Sequence, residues 1–203
     1  MIKNKEVNTK HIDKASLTSW TKESIVNEVF APVLNLTAEQ SMNVLESIVA
    51  CIKGSLVMEH SVLIPRAGTL VVSHKSERPG RNPKTGEPHK ISSRNVVTLA
   101  KKGRGKTCRI NRSDMFALVY LEQPNVDQKQ IDLAVRAFYQ LIADVKQGEH
   151  RIEIRDFGSF TPVISGERMG RNPKTGEKVI VSERMGMHFQ HSRQLRSMVN
   201  QYM

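Results

Sequence analysis

The sequence predicts an α+β protein with two related units in one chain. The octapeptide Gly-Arg-Asn-Pro-Lys-Thr-Gly-Glu occurs at residues 80–87 and again at 170–177, 170 − 80 = 90 residues apart, which indicates a duplication. In each half, apolar residues at helical spacing come first, and extended, β-branched segments follow. Each predicted element of the first half has a counterpart ninety residues later. We therefore expect the two units to share one architecture.

The repeat sets the boundaries of the units. We place the first unit at residues 21–102 and the second at 111–203, with a basic, glycine-containing linker at 103–110. Residues 1–20 are polar and carry four lysines, with little periodic apolar pattern. Such a segment buries too little apolar surface to fold, so we expect a basic, disordered tail.

Two helices are predicted to open the first unit. Thr21 caps the first, and we expect Pro32 to end it because proline has no N–H and clashes with the preceding turn. Thr37 caps the second, with Gln40 three residues later in a capping-box pattern. Its predicted buried stripe comprises Val44, Leu45, Ile48, Cys51 and Ile52.

After His60 the apolar pattern becomes extended. It predicts two antiparallel strands, one containing Val62 and Ile64 and one running from Thr69 to Val72. The octapeptide then forms the tip of a basic hairpin, because Asn-Pro sets a bend and the following glycine has a permissive backbone. Arginine and lysine flank the apolar proline ring, so the tip is apolar and its surroundings are cationic.

The second unit repeats this plan. Asn111 caps its first helix, Asp127 with Gln130 caps the second, and Gly148 is the stop signal. Two strands and a second basic hairpin follow. The last element predicted is a helix over roughly residues 189–202.

The charge balance points to a polyanionic partner. Lysine and arginine total 31 against 20 acidic residues, which gives a net charge of +11 and a pI near 9.9. No stretch approaches the roughly eighteen consecutive apolar residues of a membrane span, and no signal-peptide pattern opens the chain. We therefore expect a soluble, cytoplasmic protein that does not bind membranes.

The residue types that carry catalysis or metals lack the required spacing. Cys51 and Cys108 fall at unrelated positions of the two halves, so we expect no disulfide framework. The seven histidines form no ligand pattern with cysteines or carboxylates, and nothing resembles a nucleophile with its base. We therefore expect no metal, no cofactor, no small-molecule substrate and no enzymatic activity.

One stretch favours nucleotide binding as an alternative function. Residues 100–107, which end in Gly105-Lys106-Thr107, fit a relaxed phosphate-loop pattern in which Ala100 replaces the first glycine. Such a loop would make the chain a nucleoside triphosphatase. Against this alternative, no parallel βαβ pattern surrounds the stretch, and no apolar run ends in the aspartate that would bind magnesium.

The octapeptide and the strand before it resemble those of the HU and integration host factor (IHF) family of bacterial DNA-bending proteins. In the second half, Phe157-Gly158-Ser159-Phe160 matches the family's turn. The first half departs from it, with Ala67 and Leu70 at the two aromatic positions. The resemblance covers about one family subunit in each half, which is nearly the whole chain beyond its first twenty or so residues.

The resemblance implies that each unit has a helical base, a small antiparallel sheet and a protruding β-ribbon arm. Two family subunits intertwine to build one core, so a single chain is expected to form a pseudodimer, and a dimer of two chains is the alternative. The family also has a third helix in each subunit. Because Gly103 and Gly105 interrupt it in the first unit, we interpret Val96 to Lys102 as a helix remnant.

The resemblance further implies minor-groove binding and the bending or compaction of double-stranded DNA in the bacterial nucleoid. Pro83 and Pro173 would wedge between base steps, as is established for that family. A structural protein whose arms have lost DNA binding is the remaining alternative, since core positions of the first half are altered. The residues expected at the DNA backbone are Lys75, Arg78, Arg81, Asn82, Lys84, Lys90, Arg94, Arg168, Arg171, Asn172, Lys174, Lys178, Arg184, Arg193 and Arg196.

Overall fold

The computed structural model describes residues 9–10, 17–100 and 108–201. The first half begins with two short strands and two helices, followed by the strands of the sheet and arm. Helix α1 is continuous but has three segments of different winding. The elements are β1 (Thr9–Lys10), β2 (Thr18–Trp20), α1 (Lys22–Ser24, Ile25–Phe30 and Ala31–Leu34), α2 (Ala38–Val57), β3 (Ser61–Ile64), β4 (Gly68–Lys75), β5 (Arg78–Arg81), β6 (Pro88–Ile91) and β7 (Arg94–Ala100).

The second half repeats this order of elements and adds a C-terminal helix. A single 3₁₀ turn, Val145–Gln147, extends its long helix, and Gly148 ends that turn with a φ of 88°. The elements are β8 (Arg109–Ile110), α3 (Arg112–Glu122), α4 (Gln128–Asp144), β9 (His150–Ile154), β10 (Gly158–Ser165), β11 (Arg168–Arg171), β12 (Lys178–Val181), β13 (Arg184–His191) and α5 (Arg193–Met198).

The predicted helix starts are confirmed. The Thr21 hydroxyl caps α1. Thr37 and Gln40 form a reciprocal capping box at α2, with N–O distances of 3.2 and 3.1 Å. Asn111 and Asp114 form the same arrangement at α3. These contacts are local, which is why the sequence pattern alone locates them.

The predicted end of α1 at Pro32 is wrong, because the helix continues to Leu34. The six residues before the last segment are π-helical, and the Ala31 N–H donates to the Val26 carbonyl, five residues back. This wider winding accommodates a proline that would clash with the carbonyl four residues back in a regular α-helix. The helix ends instead at Asn35, whose φ of 50° is left-handed.

Each half builds a small sheet around the strand that enters its arm. In the first half, β4 pairs antiparallel with β3 and β7. In the second half, β10 pairs in the same way with β9 and β13. Beyond each sheet, β5 with β6 and β11 with β12 form two-stranded ribbons, which are the two arms. The predicted strands and hairpins are therefore confirmed.

The predicted helix remnant is wrong over the residues that the structure describes. Val96 to Ala100 belong to β7, which pairs with β4 as far as Ala100 opposite Thr69. Val96, Val97 and Thr98 are β-branched, and Val97 is buried while Thr98 is exposed, the alternation of a sheet with one buried face. The antiparallel pairing also differs from the parallel strand that precedes a phosphate loop in a βαβ unit.

The predicted C-terminal helix is shorter than expected, since α5 begins at Arg193 and ends at Met198. Residues 189–191 belong to β13, and α5 starts after Ser192, whose hydroxyl accepts from the Leu195 N–H at 3.0 Å. Phe189 is drawn into the sheet because its ring packs against Phe157 and Phe160, with centroids 5.3 and 4.7 Å away. Burial of this aromatic cluster overrides the helical spacing of the sequence.

Two short strands exchange between the units. Strand β2 precedes the first helix of unit one but pairs in parallel with β9 of unit two, Trp20 lying opposite Ile152. Strand β8 precedes the first helix of unit two and pairs in parallel with β3 of unit one. The Trp20 ring meets His150 edge to face, with centroids 6.0 Å apart. The exchange is reciprocal, as expected for intertwined subunits.

Part of the predicted disordered tail is ordered. Residues 18–20 form β2, and residues 9–10 pair with Ile164 and Ser165 of β10. The sequence signal is weak because these strands are two or three residues long and find their hydrogen-bond partners in distant parts of the chain. The other predicted tail residues, 1–8 and 11–16, lie outside the described residues.

Both halves contribute to one continuous core. Its largest fully buried side chains are Phe30 from unit one and Phe138, Phe157 and Phe160 from unit two. Polar contacts also cross between the units. The Gln130 amide, predicted to complete a capping box with Asp127, instead donates to the Leu34 carbonyl at 2.7 Å. The chain is thus a single-chain pseudodimer.

Several predictions fall on residues that the structure does not describe. Residues 101–107 contain most of the predicted phosphate loop and most of the linker predicted at 103–110. The last two linker residues form β8. None of the described helices is both long and apolar enough to cross a membrane.

Candidate nucleic-acid interface

The two arm tips have the same hydrogen-bonded turn. In the first arm, the Asn82 N–H donates to the Glu87 carbonyl at 3.0 Å, and the Gly86 N–H donates to the Asn82 carbonyl at 2.8 Å. The Asn82 side chain accepts from the Lys84 N–H at 3.0 Å. Gly86 has a φ of 72°, a left-handed conformation that glycine adopts without strain. The N–H groups that donate these bonds belong to Asn82, Lys84 and Gly86, and Pro83 donates none of them.

The second tip reproduces these bonds with Asn172, Lys174, Gly176 and Glu177 in the same roles, at 2.8 to 3.0 Å. Pro83 and Pro173 are both exposed at the apex. Because the polar groups of each tip are bonded to one another, the proline ring is the apolar surface that the tip presents. The geometry suits insertion between stacked bases.

The cations predicted at the DNA backbone lie along the arms and at their feet. Within residues 73–94, six cations face two acids, a net charge of 6 − 2 = +4. Within residues 163–184, five cations face three acids, a net charge of 5 − 3 = +2. Arg94 is partly buried, and the other cations of the two arms are exposed. Each arm is thus a cationic ribbon that ends in an apolar tip.

The arms differ in detail. In the first, Lys90 forms an ion pair with Glu77 at 2.8 Å. In the second, the position of Lys90 holds Ile180, which lies opposite Met169, and these two side chains are 60% and 64% exposed. Arg171 also donates from Nε to the Gly176 carbonyl at 2.6 Å, so it is fixed across its tip.

The remaining predicted cations, Arg193 and Arg196, lie exposed on α5 at the foot of the first arm. Asn95, in β7, anchors this helix end. Its side chain donates to the Val199 carbonyl at 3.1 Å, and its backbone N–H donates to the Asn200 side chain at 2.8 Å. Asn95 is buried, so these bonds satisfy groups that water does not reach. The C-terminal helix of unit two is thereby fixed on the arm of unit one.

Sequence reasoning missed cations of the body. Arg66, Arg109 and Lys146 line one cleft together with Arg184, which was predicted. They come from the β3–β4 turn, a crossing strand and the end of a helix, so no local pattern connects them. Comparison of the halves at the offset of ninety would have signalled them, because their counterparts are Asp156, Ser19 and Leu56.

The structure brings no metal site together in the parts of the chain that it describes, where no three histidine, cysteine, aspartate or glutamate side chains form a group suited to an ion. Cys51 is half-buried, and burial raises the pKa of its thiol to about 11. Such a thiol is protonated at neutral pH and is a poor nucleophile. Within the described residues, the features suited to binding are the cationic surfaces of the arms and body and the apolar tips.

Comparisons with known proteins find similar sequences and a similar solved structure. Integration host factor subunit beta of Histophilus somni (strain 2336) is 38% identical over 93 residues, which cover 46% of this chain and 99% of that protein. The same subunit of Burkholderia vietnamiensis (strain G4 / LMG 22486) is 40% identical over 91 residues, 45% of this chain and 85% of that protein. A solved Anabaena HU–DNA cocrystal structure matches with a TM-score of 0.40 and 28% identity, over 44% of this chain and 96% of that one.

A family model matches the chain twice. The model, described as bacterial DNA-binding protein, covers residues 20–103 and 110–200, one match for each structural unit. Together the two matches span most of the chain. The chain therefore belongs to the bacterial DNA-binding protein family, and it carries the family's unit twice.

Proposed function

We propose that the chain is an architectural protein that grips double-stranded DNA with both arms in the minor groove and bends it. The observation that carries the proposal is the pair of identical tips, each with an exposed proline on a cationic ribbon, held on one pseudodimeric body. The name of its relatives, integration host factor, supports the same function. Double-stranded DNA is the partner that this arrangement fits.

The roles of the residues follow from charge and shape. Lysines and arginines along the arms and on α5 neutralise phosphates, and these contacts position the protein without reading sequence. Pro83 and Pro173 insert between base steps, at an unstacking cost of a few kcal/mol per step. That cost is offset because bent DNA contacts more of the protein surface. Sequence preference would then arise through the deformability of the DNA.

Bending can be tested with a short duplex that carries a fluorophore at each end. We expect energy transfer to rise on binding, because a bend brings the ends together. The measurement should be repeated with a continuous duplex and with a nicked one. Energy transfer that stays unchanged would refute bending. A flat anisotropy titration of both duplexes at low salt would refute DNA binding and favour the alternative of a structural protein without it.

The wedge is tested by changing both tip prolines, Pro83→Ala with Pro173→Ala. The tip hydrogen bonds do not involve the prolines as donors, so the turn should persist. We expect a smaller bend on continuous DNA, and a loss of affinity there that exceeds the loss on nicked DNA. Pro79→Ala is the matched control, since Pro79 is exposed on the same arm but away from the tip. Equal losses on both duplexes would contradict wedging.

We also propose that the protein acts in the bacterial nucleoid, as a non-enzymatic monomer of one chain per DNA site. Membership of the family supports the nucleoid role.

The nucleotide-binding alternative makes a separate prediction, namely that the chain binds ATP and that Lys106→Ala abolishes the binding. We expect no ATP binding by isothermal titration, with or without that substitution.

A further inference from the structure

Two sides of the body that correspond at the offset of ninety residues differ in charge. The basic flank has four arginines and one aspartate, a formal charge of 4 − 1 = +3: Arg66, Arg109, Arg112, Asp132 and Arg136. The neutral flank, built from the corresponding and adjoining positions of the other unit, has four acids and four cations, a charge of 4 − 4 = 0: Ser19, Lys22, Glu23, Glu46, Lys53, Arg151, Glu153, Arg155 and Asp156.

The contacts within each flank preserve this difference. On the basic flank, Arg112 and Arg136 both form ion pairs with Asp132, and the Arg136 nitrogen lies 2.7 Å from the carboxylate oxygen. One carboxylate thus faces two guanidinium groups, and half of their positive charge remains. Arg66 donates to a neutral amide, the Gln140 oxygen, at 3.2 Å. Arg109 is exposed and lies with Arg66 in the cleft that Lys146 and Arg184 also line.

On the neutral flank, carboxylates balance the cations. Lys22 forms an ion pair with Glu46 at 2.8 Å. Glu153 forms an ion pair with Arg151 at 3.3 Å and accepts from the Ser19 hydroxyl at 3.4 Å. Arg155 is next in the chain to Asp156, and Glu23 lines the same cleft as these carboxylates. This side therefore presents no net charge where the other presents net positive charge.

The backbone does not cause the difference. Arg66 and Asp156 occupy the same place in the β3–β4 and β9–β10 turns, with φ angles of 62° and 64°. The backbone at this position is left-handed in both turns, and the turns differ there only in the side chain. Exchange of these two side chains is therefore a conservative test for the fold.

The basic flank adjoins an arm, since Arg184 begins the strand that returns from the second arm. A duplex that bends over the protein brings its two ends toward the two sides of the body. Bent DNA therefore contacts more of the protein surface than straight DNA. We propose that the body holds only one of these ends. Phosphates of one DNA flank bind the basic flank, the other DNA flank is left free, and the complex has a fixed polarity. This inference rests on the proposed function.

The test uses three nicked duplexes with flanks of different length on either side of the nick. A short flank has about one helical turn, roughly 10 base pairs, and a long one about three turns. The first duplex has two short flanks, the second has one long flank, and the third has two. We expect the one long flank to give nearly the whole gain in affinity. The second should add at most about twofold, the statistical gain of a second orientation.

Salt identifies the source of the gain. Each additional phosphate contact changes the slope of log K against log salt by about −0.9. Between 50 and 200 mM salt, the advantage of one long flank over two short ones should therefore shrink by about 3.5-fold per contact. An advantage that does not change with salt would overturn the proposal.

The matched variants exchange the charges of the two flanks. Arg66→Asp should reduce the gain from one long flank, and Asp156→Arg should let the second long flank add affinity beyond the statistical factor. Glu28→Arg makes a similar charge change on α1, outside both flanks, and should leave the pattern unchanged. Unchanged melting curves would show that the variants fold.

The outcomes separate this inference from the proposed function. If the protein bends the duplex with short flanks and the second long flank adds as much as the first, the body clamps both sides and the polarity is refuted. If the duplexes show neither binding nor bending, the proposed function fails together with it. Footprints that extend further on one side of the nick, obtained with a cleaving probe on Cys108, would support the polarity.

Discussion

Replacing Phe157 with alanine tests whether the two units fold as one body. Phe157 is fully buried in unit two, with ring centroids 6.2 Å from Phe160 and 5.3 Å from Phe189. Truncation of a buried phenylalanine costs about 3–5 kcal/mol, and two aromatic contacts favour the upper half of that range. We expect a loss of about 4 kcal/mol in the free energy of unfolding. Ala67 at the corresponding place of unit one indicates that the turn tolerates alanine.

The assay is urea unfolding followed by two probes. Far-UV circular dichroism reports the helices of both units, and fluorescence reports Trp20, the one tryptophan of the chain, which packs on His150 across the exchanged strand. With an m-value of about 2.5 kcal/mol/M, a loss of about 4 kcal/mol lowers the midpoint by about 1.6 M. Because the core is shared, both probes should shift together in a single transition.

Two results would refute this reasoning. A two-step unfolding curve, with a transition of unit one left in place, would show that each unit has its own core. A loss below about 1 kcal/mol would show that the aromatic cluster contributes little. Leu121→Ala is the control, because this leucine is 77% exposed and its truncation should change stability by no more than about 0.5 kcal/mol.

The tip arginines, the two cysteines and the exchanged strands can each be tested. Arg81→Ala with Arg171→Ala should weaken binding to all DNA sequences alike and reduce the salt slope by about 0.9 for each phosphate that is no longer neutralised, as measured by fluorescence anisotropy; weaker binding to one sequence only would contradict it. Iodoacetamide at pH 8 should modify exposed Cys108 much faster than Cys51, because the pKa of Cys51, raised to about 11, leaves little thiolate, and peptide mass spectrometry would show equal rates if this is wrong. Light scattering at micromolar concentration should give one chain, 22.9 kDa, since the exchanged strands pair within the chain, and a stable mass of about 46 kDa would favour pairing between chains.

Local signals in the sequence were sufficient for most elements. The caps at Thr37 and Asn111 involve groups within three residues, and the arm tips close through bonds within the octapeptide. Such contacts do not depend on the rest of the fold. For the same reason, the tip prolines and the cations of the arms could be proposed as site residues before their positions were known.

What the sequence could not predict depends on distant partners. The strand over Val96 to Ala100 is set by its pairing with β4, and Phe189 is held in β13 by an aromatic cluster that includes Phe157, 189 − 157 = 32 positions away. The exchanged strands are too short to carry a periodic pattern. Asn95 was not singled out, because its role depends on Asn200, which lies 105 residues away. In each case tertiary packing determines the structure or role of the residue, and its local propensity does not.

The joining of two units in one chain explains how their differences arose. In a dimer of identical subunits, a substitution appears on both sides, so Arg66 on one side requires Arg66 on the other. Here each unit changes alone, and the same turn carries arginine in one unit and aspartate in the other. The same freedom gives unit two an aromatic core, with Phe157 and Phe160, and unit one Ala67 and Leu70. Fixed polarity on DNA is a property that two covalently joined units can acquire and that a symmetric dimer cannot, since its two-fold axis makes both DNA flanks equivalent.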